Sequence, residues 1–265
     1  MLTLGTGALA TVDYGTPLGV IRTTHEAGHA LYEMSHSDRT HWGTPMAETP
    51  SLAIHESQSR TWENIVGRSR EFWSYFFPQL QRVFHDELHG VSLDQFYGAM
   101  NWVSPSYIRV EADEATYNLH IMLRLELEIA MLEGSLAVKD LPAAWDDRFQ
   151  EYLGITPPNA AKGVLQDVHW SGGMLGYFPT YALGNLVSAQ LWEVINRDLP
   201  DLPDQIAQGD FSALLGWLRI LGDAVGNEVH HVESGNALLL QEEHRVRILL
   251  AEDRDQHVGA GDFLL

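Results

Sequence analysis

Cysteine is absent from the 265 residues. That excludes disulfides, thiolate nucleophiles and cysteine-based zinc fingers, and it leaves His, Asp and Glu as the strong metal-ligand types in the chain. Positive charge is scarce as well: 16 Lys+Arg stand against 36 Asp+Glu, a formal net charge of -20 with His neutral. Such a surface repels phosphate backbones and anionic lipids, so neither nucleic acid nor membrane is an expected partner. There is no run of eighteen apolar residues, and Met1 to Ala10 lack the charged start and long apolar stretch of a secretory signal. The expected address is therefore the cytoplasm. What the chain does have is 45% hydrophobic and 10% aromatic residues, enough for the core of a soluble globular protein. It also has thirteen histidines.

Apolar residues recur with gaps of three and four while alternating β-branched runs are few, which predicts an all-α fold. After an irregular lead-in of about twenty residues, a helix is expected over Thr23–Glu33 and a loop over Ser35–Pro50. A second helix is expected from Ser51 through Val66 and on toward Phe84. Ser104-Pro105 reads as a cap followed by a first-turn proline, starting a helix that runs to Leu132 and is buried nearly all round. Further helices are expected over Asp140–Tyr152, Tyr177–Asp198 and Asp210–Leu221. With no repeat and no low-complexity linker, residues 1–265 are read as a single helical domain.

His25-Glu26-Ala27-Gly28-His29 places two histidines four residues apart inside a predicted helix, hence on one face and within reach of one metal ion. The glutamate between them suits a general base acting on a metal-bound water. A catalytic site needs a third protein ligand. One loop later comes His55-Glu56-Ser57-Gln58-Ser59-Arg60, and if its helix packs antiparallel to the first, Glu56 comes opposite His25 and His29. His55 is the competing choice. Adjacent helical residues diverge by about 100°, so only one of the two faces the metal squarely.

Five blocks in order, His25–Glu33 (HEAGHALYE), Ile54–Arg60 (IHESQSR), Ile108–Glu114 (IRVEADE), Gly163–Trp170 (GVLQDVHW) and Gly176–Asn185 (GYFPTYALGN), resemble the carboxypeptidase Taq family of metallocarboxypeptidases across about residues 23–219. The resemblance implies a helical, zincin-like, two-lobed fold with a deep groove and a divalent-metal requirement. It further implies removal of single C-terminal residues from peptides, a homodimer, His25, His29 and Glu56 as metal ligands, and Glu26 as general base. Zinc is the expected ion, with cobalt and manganese also accepted by such a donor set. The alternatives are an open-groove oligopeptidase, or an inactive metal-binding subunit with a dimerising role. Retention of Glu26 argues against the last.

An enzyme acting at a C-terminus must hold a free carboxylate, and Arg109 suits that by bidentate hydrogen bonding; a salt bridge to Glu111, Asp113 or Glu114 is the structural alternative. His169, Tyr177 and Tyr181 follow an order similar to that in related helical zinc peptidases, where such residues stabilise the oxyanion. Their structural alternatives are a hydrogen bond to Asp167 for His169 and packing with Phe178 for the tyrosines. Two departures from the family stand out. Only twenty-four residues precede His25, so the family's Asp-x-Arg-x-Thr block has at most an echo in Arg22-Thr23-Thr24, and residues 220–265 read as a divergent tail.

Overall fold

A computed structural model describes residues 17–36, 49 and 51–221. The described residues contain helices and no strand, in agreement with the all-α expectation. The lead-in, most of the loop after the first helix and the tail from 222 onward lie outside the described residues.

Helix α1 spans Pro17–His36, longer at both ends than its sequence pattern suggests. Proline is well suited to a first helical position, where its missing N–H has no intrahelical partner to lose. Helix α2, Leu52–Arg60, starts at Ser51, whose Oγ accepts from Ile54 N. It runs directly into a π-helical turn, Thr61–Val66. The single helix expected toward Phe84 is then interrupted: Ser69 is extended, and its Oγ accepts from Phe72 N, restarting the chain as α3, Arg70–Val83. Two short helices follow, α4 (His85–Leu88) and α5 (Leu93–Met100). The second opens with a capping box between Ser92 and Gln95.

Ser104-Pro105 does not start a helix. The Asp113 carboxylate takes the N–H groups of both Ser104 and Thr116, which folds the intervening segment back and moves the start of α6 to Tyr117. Helix α6, Tyr117–Leu132, is buried along one side by Tyr117, His120, Ile121, Leu123, Arg124, Leu127 and Glu128, yet exposes Met122, Ile129 and Leu132. It is a half-buried helix, not a fully enclosed one. Helices α7 (Leu141–Leu153), α8 (Pro179–Asp198), α9 (Leu202–Ala207) and α10 (212–221) complete the described chain.

The interior has two main cores. One gathers Ile21, Trp62, Val66, Trp73, Phe77, Ile195 and Leu214 from α1, the π-turn, α3, α8 and α10. The other gathers Leu123 and Leu127 of α6 with Trp145 and Phe149 of α7. Each fully buried side chain of this kind contributes about 1.5–3 kcal/mol through its removal from water. Between these cores a smaller cluster of Tyr117, Ile121 and Phe178 joins α6 to the start of α8. Helix α2 packs against both α1 and α8, a placement that sets the site.

Candidate metal centre

Helix α1 carries His25 and His29 one turn apart, and α2 crosses it closely. A Cβ at Gly28 would lie 2.7 Å from Ser59 Cα and 2.9 Å from the Gln58 carbonyl oxygen, so this approach requires glycine within the H-E-x-x-H sequence. Helix α8 closes on α2 from another side, where a Cβ at Gly184 would stand 2.6 Å from Glu56 Cγ. Held by both neighbours, α2 buries Glu56, Ser57, Gln58, Ser59 and Arg60 in succession.

The consequence is a convergence of donors. His25 Nε2 and His29 Nε2 are 3.1 Å apart, Glu56 Oε2 is 3.5 Å from His29 Nε2, and one ligand atom from each residue lies within 4.8 Å of the other two. Two imidazole nitrogens and a carboxylate oxygen crowded in this way fit a shared divalent cation with an open fourth position. His55 stands beside this trio: its ring centroid is 4.4 Å from that of His29, but its Nε2 engages Glu33 Oε1 at 2.8 Å. Glu26, half-buried next to His25 on α1, forms no ion pair among the described residues.

Charge states follow from these surroundings. Burial and the neighbouring His25 hold His29 down at about 3, which leaves it neutral and able to ligate at neutral pH. Burial is the largest single influence on His25 and pulls it down, but the hydrogen bond to Glu63 together with the charges of Glu63 and Glu56 outweighs it and raises the group. Burial alone would raise Glu63; Arg60 and His25 overcome it and hold the carboxyl at about 2.

A second cluster sits alongside. His169 Nε2 is 3.1 Å from Tyr181 Oη, and the ring centroid of Tyr177 lies 5.3 Å from that of His169 and 5.5 Å from that of Tyr181. Burial raises both tyrosines, with the Glu56 charge adding to the effect, so each keeps its proton. Burial, followed by Arg109, lowers His169. His169 Nδ1 is 3.9 Å from Asp167, beyond hydrogen-bond distance.

Arg109 is 5% exposed. Its Nε and Nη2 donate to Asp167 Oδ1 at 3.1 and 2.9 Å, and its Nη1 donates to Tyr117 Oη at 2.7 Å. The carboxylate partner is thus Asp167, fifty-eight residues away, rather than any acid near Arg109 in sequence. Arg124 takes the other oxygen of Asp167, Nε to Oδ2 at 2.8 Å. The two clusters meet through stacked rings: Arg60 lies 4.3 Å from the Tyr117 centroid and Arg109 4.8 Å from that of Tyr181.

Sequence reasoning missed Arg60, Glu63, Arg124, Asp167 and Gly184 as parts of the site. Glu63 had a readable signal, seven residues or nearly two turns beyond Glu56, and Asp167 lies in the same block as His169. Gly184 lies in the Gly176–Asn185 block, but nothing along that segment marks it as the contact between distant helices that it makes.

Comparison with known proteins follows the same lines. Residues 12–228 match the family described as carboxypeptidase Taq (M32) metallopeptidase, a span extending past 23–219 at both ends. The chain is 52% identical over 209 residues to thermostable carboxypeptidase 1 of Thermus thermophilus, covering 79% of this chain and 41% of that protein. It is 42% identical over 225 residues to carboxypeptidase 1 of Bacillus subtilis, covering 80% and 45%. The solved structure of Pyrococcus furiosus carboxypeptidase matches with a TM-score of 0.74 at 39% identity, over 88% of this chain and 47% of that one. The chain spans less than half the length of the curated relatives it matches.

Proposed function

The chain belongs to the carboxypeptidase Taq (M32) metallopeptidase family, and on that premise we propose that it is a metal-dependent carboxypeptidase removing C-terminal residues from peptides. The observation that carries this reading is the convergence of His25, His29 and Glu56 beside Glu26, which has no ion-pair partner among the described residues. These three residues would hold the ion, with zinc the proposed metal and cobalt or manganese also suited to the donor set. When bound, the ion supplies Lewis acidity toward the scissile carbonyl and acidifies water near neutral pH.

Glu26 then accepts the proton of the attacking water and delivers it to the leaving amine. The Tyr181 hydroxyl, kept protonated by burial, donates toward the carbonyl oxygen as charge develops on it, while His169 and Tyr177 orient that hydroxyl. Arg109 is the proposed anchor for the substrate's terminal carboxylate. Three of its five N–H donors are spent on Asp167 and Tyr117, which leaves two in a guanidinium held rigid by those bonds.

On this reading residues 1–265 act as a single helical unit. We also propose a homodimer, on the family resemblance alone, and a cytoplasmic setting, which a chain without cysteine suits.

The test is a mass-spectrometric time course on an unstructured peptide, using protein loaded with Zn²⁺ or Co²⁺ and Glu26→Gln in parallel. A ladder losing one residue at a time from the C-terminus is expected, with Glu26→Gln slower by about 10²–10⁴-fold at unchanged metal content. Internal fragments would establish an oligopeptidase instead, and an untouched peptide a metal-binding protein without this activity.

A further inference from the structure

Two charged residues that touch the ligand trio from behind are unaccounted for by the proposed chemistry. Arg60 stands one helical turn beyond Glu56, and its Nε donates to Glu56 Oε1 at 2.7 Å. Its Nη1 donates to Glu63 Oε2 at 2.8 Å. The same Glu63 oxygen is 2.8 Å from His25 Nδ1. Arg60 is 6% exposed, and the Glu63 side chain 14%. The π-helical turn Thr61–Val66 begins between them, a widening of the helix often found beside functional sites.

The atoms engaged decide the atoms left over. An ionised carboxylate has lone pairs and no proton to give, so the hydrogen bond between Glu63 and His25 requires the proton to sit on Nδ1. With Nδ1 so engaged, the nitrogen of His25 left facing the other two residues is Nε2, the atom 3.1 Å from His29 Nε2. On Glu56 the bond from Arg60 occupies Oε1, so the oxygen left toward His29 is Oε2, at 3.5 Å. A single ion pair thereby selects the ligating atom of two residues on two different helices.

We propose that Arg60 and Glu63 are positioning residues for the metal site, Glu63 setting the tautomer and ring orientation of His25 and Arg60 setting the carboxylate orientation of Glu56; this rests on reading His25, His29 and Glu56 as metal ligands. The arrangement exists before any ion arrives. Outer carboxylates of this kind typically govern 10–100-fold of metal affinity, and the Arg60 fork spans two carboxylates in a way that a lysine ammonium does not reproduce.

The experiment measures Zn²⁺ affinity by competition with a chromophoric chelator, and the ring ¹⁵N shifts of His25 in metal-free protein at alkaline pH, where the ring is neutral, for the 265-residue chain and for Glu63→Gln and Arg60→Lys. Expected are a loss of about 10–100-fold in affinity for Glu63→Gln, a smaller loss for Arg60→Lys, and a His25 ring in Glu63→Gln no longer held in the Nδ1–H form. Wild-type affinity and an unchanged tautomer in Glu63→Gln would overturn the proposal. Should Glu63→Gln not fold, an unchanged affinity in Arg60→Lys would overturn it equally. Because neither measurement uses a peptide, a wild-type protein that binds Zn²⁺ with these dependences but cleaves nothing would sink the peptidase reading alone; one that binds no Zn²⁺ would sink both.

Discussion

The cluster on α1 and α2 sets two carboxylates, Glu56 and Glu63, against one guanidinium, Arg60. The cluster between α6 and the segment before α8 sets two guanidiniums, Arg109 and Arg124, against one carboxylate, Asp167. With both imidazoles neutral, as ligation requires, the first cluster sums to one negative charge and the second to one positive charge. In a chain whose overall charge is -20, a buried surplus of positive charge has a specific purpose or a high cost. The sums suit the two ends of the proposed chemistry, one attracting a cation and the other an anionic group of a substrate. The clusters also differ in what holds them. The first turns two imidazole nitrogens and one carboxylate oxygen toward a common point, whereas the second spends both oxygens of its only carboxylate internally.

That difference can be broken most forcefully at Asp167. Asp167→Asn would leave Arg109 and Arg124 buried without a counter-charge, and a loss of about 3–5 kcal/mol in denaturant unfolding is expected. Zn²⁺ affinity of the folded fraction should change little; a parallel drop in affinity would mean that the clusters act as one unit. A smaller effect is expected from Gly184→Ala, whose new Cβ would meet Glu56 Cγ at 2.6 Å. Overpacking of this kind costs about 1–3 kcal/mol, and because the clash falls on a proposed ligand, metal affinity should fall with stability, the opposite pattern to Asp167→Asn.

The mildest probe is pH. His29 on the first cluster and His120 behind the second are both held at about 3 in the folded protein by burial, joined by the charge of His25 in one case and of Arg124 in the other. As pH falls below about 6.5 the unfolded chain binds a proton at each site and the folded chain does not. Their contribution to stability is therefore complete above that pH and declines between about 6.5 and 3. The slope is about 1.4 kcal/mol per pH unit for each group; His25, raised by Glu63 and Glu56, adds stability only as pH falls toward about 6.5 and leaves the slope below that pH unchanged. Thermal melts of metal-free protein from pH 7 to 4.5 should show the decline, and His120→Leu should flatten it; an unchanged slope would mean that His120 takes up its proton in the folded state.

Much of this is legible in the sequence. The positions of α7 and α8 were legible to within about two residues, because their apolar spacing and their capping or proline signals agree. The H-E-x-x-H pair needed only the geometry of one helix. Misreadings occurred where a side chain from elsewhere overruled a local signal. Ser104-Pro105 has the form of a helix start, yet Asp113 takes the Ser104 N–H and ends that option. Helix α6 has the composition of an enclosed helix, but only one side of it meets neighbours.

The sequence by itself determined the helical class, the family, and the pairing of His25 with His29, since these depend on periodicity, on ordered blocks of residues and on a four-residue spacing within one helix. Tertiary structure decided that the Glu56 carboxylate rather than the His55 ring converges with the two histidines, that Arg109 pairs with Asp167, and that Arg60 and Glu63 reach the backs of two proposed ligands. Each of those outcomes depends on how closely α1 and α8 press on α2 or on how α6 meets the chain around residue 167, distances that no periodicity along a single segment encodes.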